Sequence, residues 1–303
     1  MIHFLYNRFL TKKKTAMFFL GEKWLRWQLY KFLKIRLNSY YQNLSLKPSK
    51  EVPNIDLVVS LTSFPERMHT VHLSIKSILA QTQRPTKIIL WLGEAQFPEK
   101  EHNLPQTLLD LKVFGLDIKF CQDLKPHTKY FYAFKAYPDK LIVTIDDDLF
   151  YPNTMLEHLM KHYIKNPKCV IANRVREIGI EDGVFKKYRT WPINRVVHSN
   201  PSHKLLATGV GGVLYNPALF SDNLFEIEHI KELAPKADDI WLKANEVINE
   251  IPVVFTNYFC FPLIEIPNSQ TRSLYAENVF EEGNDIQIKR TFDFFGITEK
   301  TFE

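Results

Sequence analysis

Three consecutive aspartates, Asp146, Asp147 and Asp148, are the residues of this sequence whose chemistry is easiest to interpret. They directly follow an apolar run, residues 141–145, which is typical of a buried strand. Adjacent carboxylates repel one another and are costly to bury unpaired. Oxygen ligands of this kind suit Mg²⁺ or Mn²⁺, which commonly sits on one or two carboxylates plus substrate phosphates. The pattern predicts a metal site at Asp146 and Asp148, with capping of the helix after Pro152 as the structural alternative.

A second pair of carboxylates, Asp238 and Asp239, begins a predicted helix over residues 237–250. Asp239 lies 91 residues beyond Asp148. A hydroxyl that attacks an electrophilic carbon needs a base such as a carboxylate to take its proton. Aspartate is also a common helix cap, so the pair by itself fits both a catalytic and a structural role.

The elements that must position these carboxylates follow from the hydrophobic pattern. Apolar, β-branched runs typical of buried strands occupy residues 55–61, 87–92, 116–121 and 141–145. Helical spacing of apolar residues lies between and after them, over residues 71–81, 104–113, 128–137 and from about 153 onward. A polar turn over residues 62–67 follows the first strand. The alternation predicts an α/β fold with a mostly parallel central sheet flanked by helices. Ligands of such sheets bind at the carboxyl ends of the strands.

The first 50 residues differ from the rest of the chain in charge. They hold eleven Lys and Arg against one acid, Glu22, whereas the whole chain has a net charge of only +5, so the remainder is mildly acidic. A nucleic-acid binder is expected to carry its positive charge on a folded face, and this distribution therefore predicts no nucleic-acid partner. We expect a basic, aromatic-rich arm and linker over residues 1–50 and a main domain over residues 51–303.

Within residues 1–40, cations are mixed with large apolar side chains such as Trp24 and Trp27. No uncharged stretch approaches the ~20 residues that a membrane-spanning helix needs. The pattern is typical of a basic amphipathic helix that lies in a membrane interface and contacts anionic lipid. A helix docked on the main domain through its apolar stripe is the alternative. Residues 41–54 hold two prolines and predict a linker.

The three cysteines, Cys121, Cys169 and Cys260, are odd in number and far apart. Because they show no CxxC or zinc spacing, they indicate small core residues in a reducing compartment rather than a disulfide scaffold. Together with the basic arm, they predict a cytoplasmic protein on the inner face of the cell membrane.

Two segments carry a resemblance to a known family. Residues 141–152, LIVTIDDDLFYP, resemble the DxD region of GT-A fold glycosyltransferases. Residues 58–67, VVSLTSFPER, followed by residues 77–82, SILAQT, are similar to the nucleotide-binding first strand and helix of the family-2-like members. The resemblance covers about residues 55–265. It implies a GT-A (Rossmann-like) fold with a nucleotide-binding half over residues 51–150 and an acceptor-binding half over residues 151–303.

The resemblance also implies a function. The donor would be a nucleotide-diphosphate sugar, with UDP-sugars favoured, and the acceptor a hydroxyl of a glycan or lipid-linked glycan in bacterial surface-polysaccharide or lipopolysaccharide synthesis. Asp146 and Asp148 would hold Mn²⁺ or Mg²⁺ beside the departing diphosphate. Asp239, with Asp238 beside it, would be the general base of an inverting transfer. The last histidine is His229, so the C-terminal histidine ligand of many family members has no counterpart here.

Further contacts follow from the same resemblance. The residues it implies in donor binding are Thr62, Ser63, Arg67, Asp123, Asp146 and Asp147. Residue type and position add two expected donor contacts, Lys129 and Arg272, and Arg272 would lie on a loop that covers the diphosphate. Gly211 and Gly212 lie in a small-residue loop that the acceptor would approach closely. From residue type alone, the alternatives are a surface turn at residues 62–67, a solvated helix face at Lys129 and a tight turn at the glycines.

Two other functions fit parts of the sequence. A sugar nucleotidyltransferase shares the sheet type and the metal, but it usually carries a Gly-rich, Lys-containing loop after the first strand, and residues 62–67 contain no Gly. A catalytically inactive glycan-binding or membrane scaffold protein is the non-enzyme alternative. Such a protein would not be stabilised by nucleotides and Mn²⁺, whereas any ligand of the native state raises apparent stability.

Overall fold

A computed structural model describes residues 1–11, 20–46, 56–194, 200–259, 262–269 and 283–302. Several sequence-based predictions fall outside these residues: part of the arm at 12–19, most of the linker at 47–54, the first residue of the predicted strand 55–61, Cys260 and Arg272.

Helices and strands are numbered in chain order. The α-helices of the described residues are α1 Ile2–Thr11, α2 Leu20–Gln42, α3 Met68–Leu79, α4 Gln106–Leu109, α5 Thr128–Ala136, α6 Met155–Lys165, α7 Ile227–Leu233, α8 Asp238–Ile248 and α9 Gly283–Phe295. The strands are β1 Leu57–Ser63, β2 Lys87–Gly93, β3 Leu116–Cys121, β4 Leu141–Thr144, β5 Leu149–Phe150, β6 Val170–Ala172, β7 Val175–Glu177, β8 Ile180–Glu181, β9 Val184–Phe185, β10 Leu205–Ala207, β11 Val213–Tyr215, β12 Val253–Phe255 and β13 Ile264–Glu265.

Seven strands form the central sheet, in the order β12-β6-β11-β4-β1-β2-β3. The neighbours β4-β1, β1-β2, β2-β3 and β12-β6 are parallel. Only β11, which pairs with β4 and β6, runs antiparallel to its neighbours in this sheet. The predicted α/β fold with a mostly parallel central sheet is confirmed.

The sheet is buried on both faces, as its continuous apolar strands predict. Val58 of β1 packs into one apolar cluster with residues of α5 and α8, whereas Val59 packs into another with residues of α3 and α6. Successive side chains of a strand point to opposite faces, so β1 contributes to both layers. Helices therefore cover both sides of the sheet.

The pairing register of β1 and β4 determines which residues meet at the edge. Val59 lies beside Val143 and Ser60 beside Thr144. Because parallel strands advance together, the end of β1 and the segment that follows β4 arrive at the same edge of the sheet. The aspartates that follow β4 are thereby placed next to the last residues of β1.

Two local predictions are wrong in detail. The segment at Thr62 and Ser63 is not part of a turn, because β1 continues through Ser63. The single helix expected over residues 104–113 is the short α4 followed by a 3₁₀ turn, Asp110–Phe114. Pro105 precedes α4, where its fixed φ and missing N–H are tolerated, and Gly115, at φ 106°, ends the 3₁₀ turn.

The N-terminal helices pack on the main domain. Tyr6, Phe9 and Leu10 of α1 are buried in the same apolar cluster as β1 and α3. The α2 residues Leu33, Leu37 and Tyr41 are also in that cluster. The division at residue 50 stays a prediction, but the described part of the arm shares a core with the residues that follow it. None of the described helices is long and apolar enough to cross a bilayer.

One hydrogen-bonded side chain fastens α1 near the aspartates. The Tyr6 hydroxyl donates to the Phe150 carbonyl at 2.6 Å and accepts from the Ile264 N–H at 3.1 Å. Phe150 and Ile264 are partners in the two-stranded β5-β13 sheet. Since β5 begins immediately after Asp148, α1 supports the segment that carries the three aspartates.

Candidate active site

The middle aspartate is held by groups of β1 and the turn after it. Ser63 Oγ and the Arg67 guanidinium both donate hydrogen bonds to Asp147, which is only 4% exposed. Burial raises the pKa of Asp147, while Arg67 and Ser63 oppose that shift by stabilising the ionised carboxylate. The surface-turn alternative for Ser63 and Arg67 therefore does not apply. Their predicted contact with a nucleotide stays a prediction.

Arg67 also reaches the last of the three aspartates. Its Nη2 lies 3.1 Å from Asp148 Oδ2. A planar guanidinium can serve two carboxylates at once because its N–H groups point in fixed, separate directions. Arg67 thus fixes the orientation of Asp147 and Asp148 relative to β1.

The backbone of Asp146 is fixed by hydroxyl groups of the core. Its N–H donates to Tyr151 Oη at 2.8 Å, and its carbonyl accepts from Ser74 Oγ of α3 at 3.2 Å. Tyr151 is fully buried. Sequence reasoning missed Tyr151, although a buried Tyr needs a partner for its hydroxyl and the segment LFYP follows the aspartates directly.

Lys129 of α5 joins the two groups of carboxylates. Its Nζ lies 2.9 Å from Asp146 Oδ1 and 3.0 Å from Asp238 Oδ2, and its side chain is 9% exposed. Asp238 is the first residue of α8. The two acidic motifs, far apart in the chain, therefore meet on one ammonium group. Because Lys129 is buried, the alternative that it lies on a solvent-exposed helix face is ruled out. The contact of Lys129 with a donor remains a prediction.

The bridging lysine stays charged. Burial lowers the pKa of Lys129, but the carboxylates of Asp146 and Asp238 outweigh that effect and raise it above the ordinary value. A charged ammonium group between two carboxylates offsets part of the cost of burying them, which accounts for their presence in a largely buried site.

Asp239 has a strongly shifted pKa. Burial and the adjacent Asp238 carboxylate raise the pKa of Asp239 to about 7, against the opposing influence of Lys129 and Arg174. Its Oδ1 accepts from the Ile240 N–H at 3.0 Å, and Tyr188 Oη lies 3.5 Å from its Oδ2. A carboxylate with a pKa near neutrality suits proton removal at physiological pH.

Carboxylates outnumber cations in this cluster among the residues that the structure describes. Five carboxylates converge here, and the described cations that act on them are Arg67, Lys129 and Arg174. An acidic cluster of this kind attracts a divalent cation. Asp146 and Asp148 retain 26% and 15% side-chain exposure.

The residues present fit Mn²⁺ or Mg²⁺ as partial rather than complete ligands. Among the described residues, no three His, Cys, Asp or Glu side chains are grouped so that they could hold a metal ion. Mg²⁺-type sites in proteins commonly use one or two carboxylates and take their other ligands from substrate phosphates and water. Asp146 and Asp148 are suited to that role.

Gly209 closes over the bridge between Lys129 and Asp146. A Cβ atom at this position would lie 2.7 Å from Lys129 Nζ and 3.2 Å from Asp146 Oδ1. The position therefore requires the absence of a side chain, because two carboxylates hold the ammonium group in place. The small-residue loop 208–212 contributes this one glycine to the charged cluster.

We expect Gly209→Ala to destabilise the protein by about 1–3 kcal/mol, since the added methyl group must displace the Lys129 ammonium. Urea unfolding of a double-mutant cycle with Lys129→Ala measures the effect. In the Lys129→Ala background the same change should cost much less. An equal cost in both backgrounds would show that Gly209 has another role.

The two glycines predicted to face the acceptor are packed against the protein itself. A Cβ at Gly211 would lie 3.1 Å from atoms of Asn173 and Arg174, and one at Gly212 would lie 3.0 Å from Met155 Sδ. Gly212 also has φ 82°, which favours glycine. These contacts account for both glycines structurally, and their contact with an acceptor stays a prediction.

Two further predicted residues have hydrogen-bond partners other than the three aspartates. Thr62 Oγ1 donates to the Trp91 carbonyl of β2 at 3.0 Å. Asp123 is exposed, and its carboxylate accepts from Gln96 Nε2 at 3.0 Å. It follows β3, three strands from β4, which corresponds to about 14 Å across the sheet. At that distance Asp123 is suited to a different part of a large ligand, and its predicted base contact is untested.

Comparisons with known proteins give a likeness of structure but none of sequence. No protein-family model matches the chain, and no curated protein matches its sequence. Among solved structures, the chain is similar to the mannosyltransferase PcManGT from Pyrobaculum calidifontis, in complex with GDP-Man and Mn²⁺. The match has 10% sequence identity, a TM-score of 0.49, and covers 97% of this chain and 75% of that chain. A likeness this distant does not assign an activity, which depends on the residues of the site.

Proposed function

We propose that this chain is a glycosyltransferase that moves a sugar from a nucleotide-diphosphate donor to a hydroxyl acceptor. One observation supports this most: two acidic motifs converge on Lys129 at the carboxyl ends of parallel strands. Ligands of open α/β sheets bind at that edge. The site offers carboxylates for a cation on one side and a carboxylate with a pKa of about 7 on the other.

The roles of the residues follow from this arrangement. Asp146 and Asp148 would hold Mn²⁺ or Mg²⁺, which neutralises negative charge on a leaving diphosphate. Asp239 takes the proton of the acceptor hydroxyl as its oxygen forms a bond to sugar C1. The bond from C1 to the phosphate oxygen breaks at the same time, and the nucleoside diphosphate leaves with the electron pair. Lys129 and Arg67 keep the carboxylates in place.

The finer parts of the proposal rest on the sequence resemblance. They are a UDP-sugar donor, inversion at C1, a glycan or lipid-linked glycan acceptor, and bacterial surface-polysaccharide or lipopolysaccharide synthesis. A location on the cytoplasmic face of the cell membrane is proposed separately, from the basic arm and the cysteines. Direct attack by a hydroxyl activated by Asp239 is compatible with inversion, because a single displacement occurs from the face opposite the leaving group.

The test is turnover of a panel of UDP-, GDP- and CMP-sugars with Mn²⁺ or Mg²⁺. We expect one donor to be hydrolysed or transferred, with at least about a tenfold loss in EDTA that added Mn²⁺ restores. Asp148→Asn should show a comparable loss, whereas Asp117→Asn, on the exposed side chain that pairs with Lys87, should be unaffected. Pyrophosphate release from a nucleoside triphosphate and a sugar phosphate would indicate a nucleotidyltransferase instead. If no donor is turned over or raises the melting temperature, the glycosyltransferase proposal fails.

A further inference from the structure

Helix α2 has two apolar sides. Leu33, Leu37 and Tyr41 follow one another every four residues and are buried against the main domain. At about 100° per residue, Trp24 and Ile35 lie on the opposite side of the helix. An ordinary surface helix has one apolar face, toward the core, and a polar face toward water. The second apolar side of α2 does not pack in the protein core, so its apolar residues are not explained by the stability of the fold.

The side chains of this outward surface are far more exposed than folding requires. Trp24 is 64% exposed, Phe32 49% and Ile35 69%, and Leu25 beside them is 61% exposed. We call these four residues the outward patch. Contiguous exposed apolar groups on a soluble protein mark a site of interaction with another apolar surface.

The charge around the patch identifies the kind of surface. Between residues 20 and 46 the chain carries Lys23, Arg26, Lys31, Lys34 and Arg36 against one acid, Glu22. Lys34 lies 3.5 Å from Glu265, a long surface contact of small value. Lys31 and Arg36 are exposed, flank the outward patch on the helix and give this side of α2 a positive charge. A second copy of the chain would bring an identical cationic face to a two-fold contact, so the charge favours a negative partner.

We propose that the outward patch of α2 lies on an anionic phospholipid membrane. Trp24, Phe32 and Ile35 enter the boundary between headgroups and acyl chains, and the neighbouring cations contact lipid phosphates. The helix lies along the surface and does not cross it. This inference rests on α2 alone and is independent of the proposed sugar transfer.

The structure reduces the number of residues among 1–40 that are available to contact a membrane. Three of the large apolar residues of α1, Tyr6, Phe9 and Leu10, are buried in the protein and are not available to lipid. The α2 side chains that face the main domain are also buried: Leu33, Leu37 and Tyr41. Docking on the main domain and contact with a membrane are therefore not exclusive alternatives, because α2 uses opposite sides for them.

The test is flotation of the full chain with vesicles of phosphatidylglycerol and phosphatidylcholine. We expect binding to the mixed vesicles and little to phosphatidylcholine alone. The triple variant Trp24→Ser, Phe32→Ser, Ile35→Ser should bind at least about tenfold more weakly. The single variants Lys31→Gln and Arg36→Gln should each lower vesicle binding about fivefold and make the binding less sensitive to salt. The matched control is Val113→Ser with Ile164→Ser, which removes side chains that are 74% and 70% exposed elsewhere on the surface.

The outcomes separate the possible partners. Unchanged flotation of the triple variant would overturn the inference. So would light scattering that shows a dimer of the wild type and a monomer of the triple variant, because the patch would then be a contact between copies. Turnover of a soluble donor distinguishes the two proposals: a triple variant that keeps its turnover but loses vesicle binding supports the membrane surface, and vesicle binding without any turnover contradicts only the sugar transfer.

Discussion

Replacing Asp239 by Asn should lower kcat for sugar transfer by about 10²–10⁴-fold, the usual contribution of a general base. Asn has nearly the same shape but cannot accept a proton. Wild-type activity should rise with pH, with a midpoint near the pKa of about 7 that burial and Asp238 give Asp239, and level off above it. The residual activity of the variant should lack this limb. Initial rates between pH 5 and pH 9 measure both effects.

The same pKa predicts a change in stability of definite sign. The ordinary pKa of aspartate is about 3.9, whereas that of Asp239 in the folded chain is about 7. Between these values the folded protein retains a proton that the unfolded chain has lost, so stability decreases as the pH rises through this window. Asp239→Asn should therefore be more stable than wild type at pH 8, by on the order of 2 kcal/mol, and the advantage should vanish near pH 4.

A variant that is inactive yet more stable at pH 8 cannot have lost activity by unfolding. Asp222→Asn is the control, because Asp222 is exposed and belongs, like Asp239, to the C-terminal half of the chain. This variant should change neither the rate nor the stability. Full activity in Asp239→Asn would remove this residue from the mechanism. In that case the neighbouring Asp238 would also be a poor base, because Lys129 holds it in an ion pair.

Among single substitutions in this cluster, Lys129→Met should destabilise the folded protein the most. The substitution keeps the length and apolar stem but leaves Asp146 and Asp238 facing each other without the cation between them. Breaking a buried ion pair by removing one partner costs about 3–5 kcal/mol, and we expect about 3 kcal/mol because both carboxylates are partly exposed. Urea unfolding at pH 8 measures the loss.

Two readouts separate the positioning role of Lys129 from simple packing. The lysine helps to lower the pKa of Asp239, so the pH profile of activity in Lys129→Met should move to higher pH. Mn²⁺ alone should raise the melting temperature of the variant more than that of wild type, because the cluster has become more negative. Lys135→Met, on the exposed side of the same helix, is the control. An unchanged profile and an equal response to Mn²⁺ would reduce Lys129 to a structural residue.

Much of the sheet could be predicted from local sequence. The strands around Val59, Leu90 and Val143 are short apolar runs that strand periodicity identifies, and the aspartates at the end of β4 follow from the same reasoning. The paired register then brings Ser63 beside Asp147. The end of β1 was misjudged because Thr62 and Ser63 are polar, and polarity near a strand end is equally typical of a turn.

The contacts between distant segments could not be predicted in the same way. Nothing in the local sequence of α5 indicates that Lys129 contacts both Asp146 and Asp238, since lysine on a helix is usually solvated. Whether a lysine enters the interior depends on carboxylates that the fold brings from elsewhere. The docking of α2 had a local signal, the spacing of Leu33 and Tyr41 around Leu37, and docking was one of the two alternatives. The cations and aromatics of the same helix favoured the other alternative, contact with a membrane.

The position of Tyr6 has a practical consequence for anyone who expresses this protein. Trimming a basic N-terminal segment is a common way to improve yield, and a chain begun at residue 51 is a natural choice. That cut would excise the hydroxyl shared by Phe150 and Ile264, together with the apolar side chains that cover the β5-β13 pair. Loss of activity in such a truncation would report a damaged interior two residues from Asp148, and it should not be attributed to detachment from lipid.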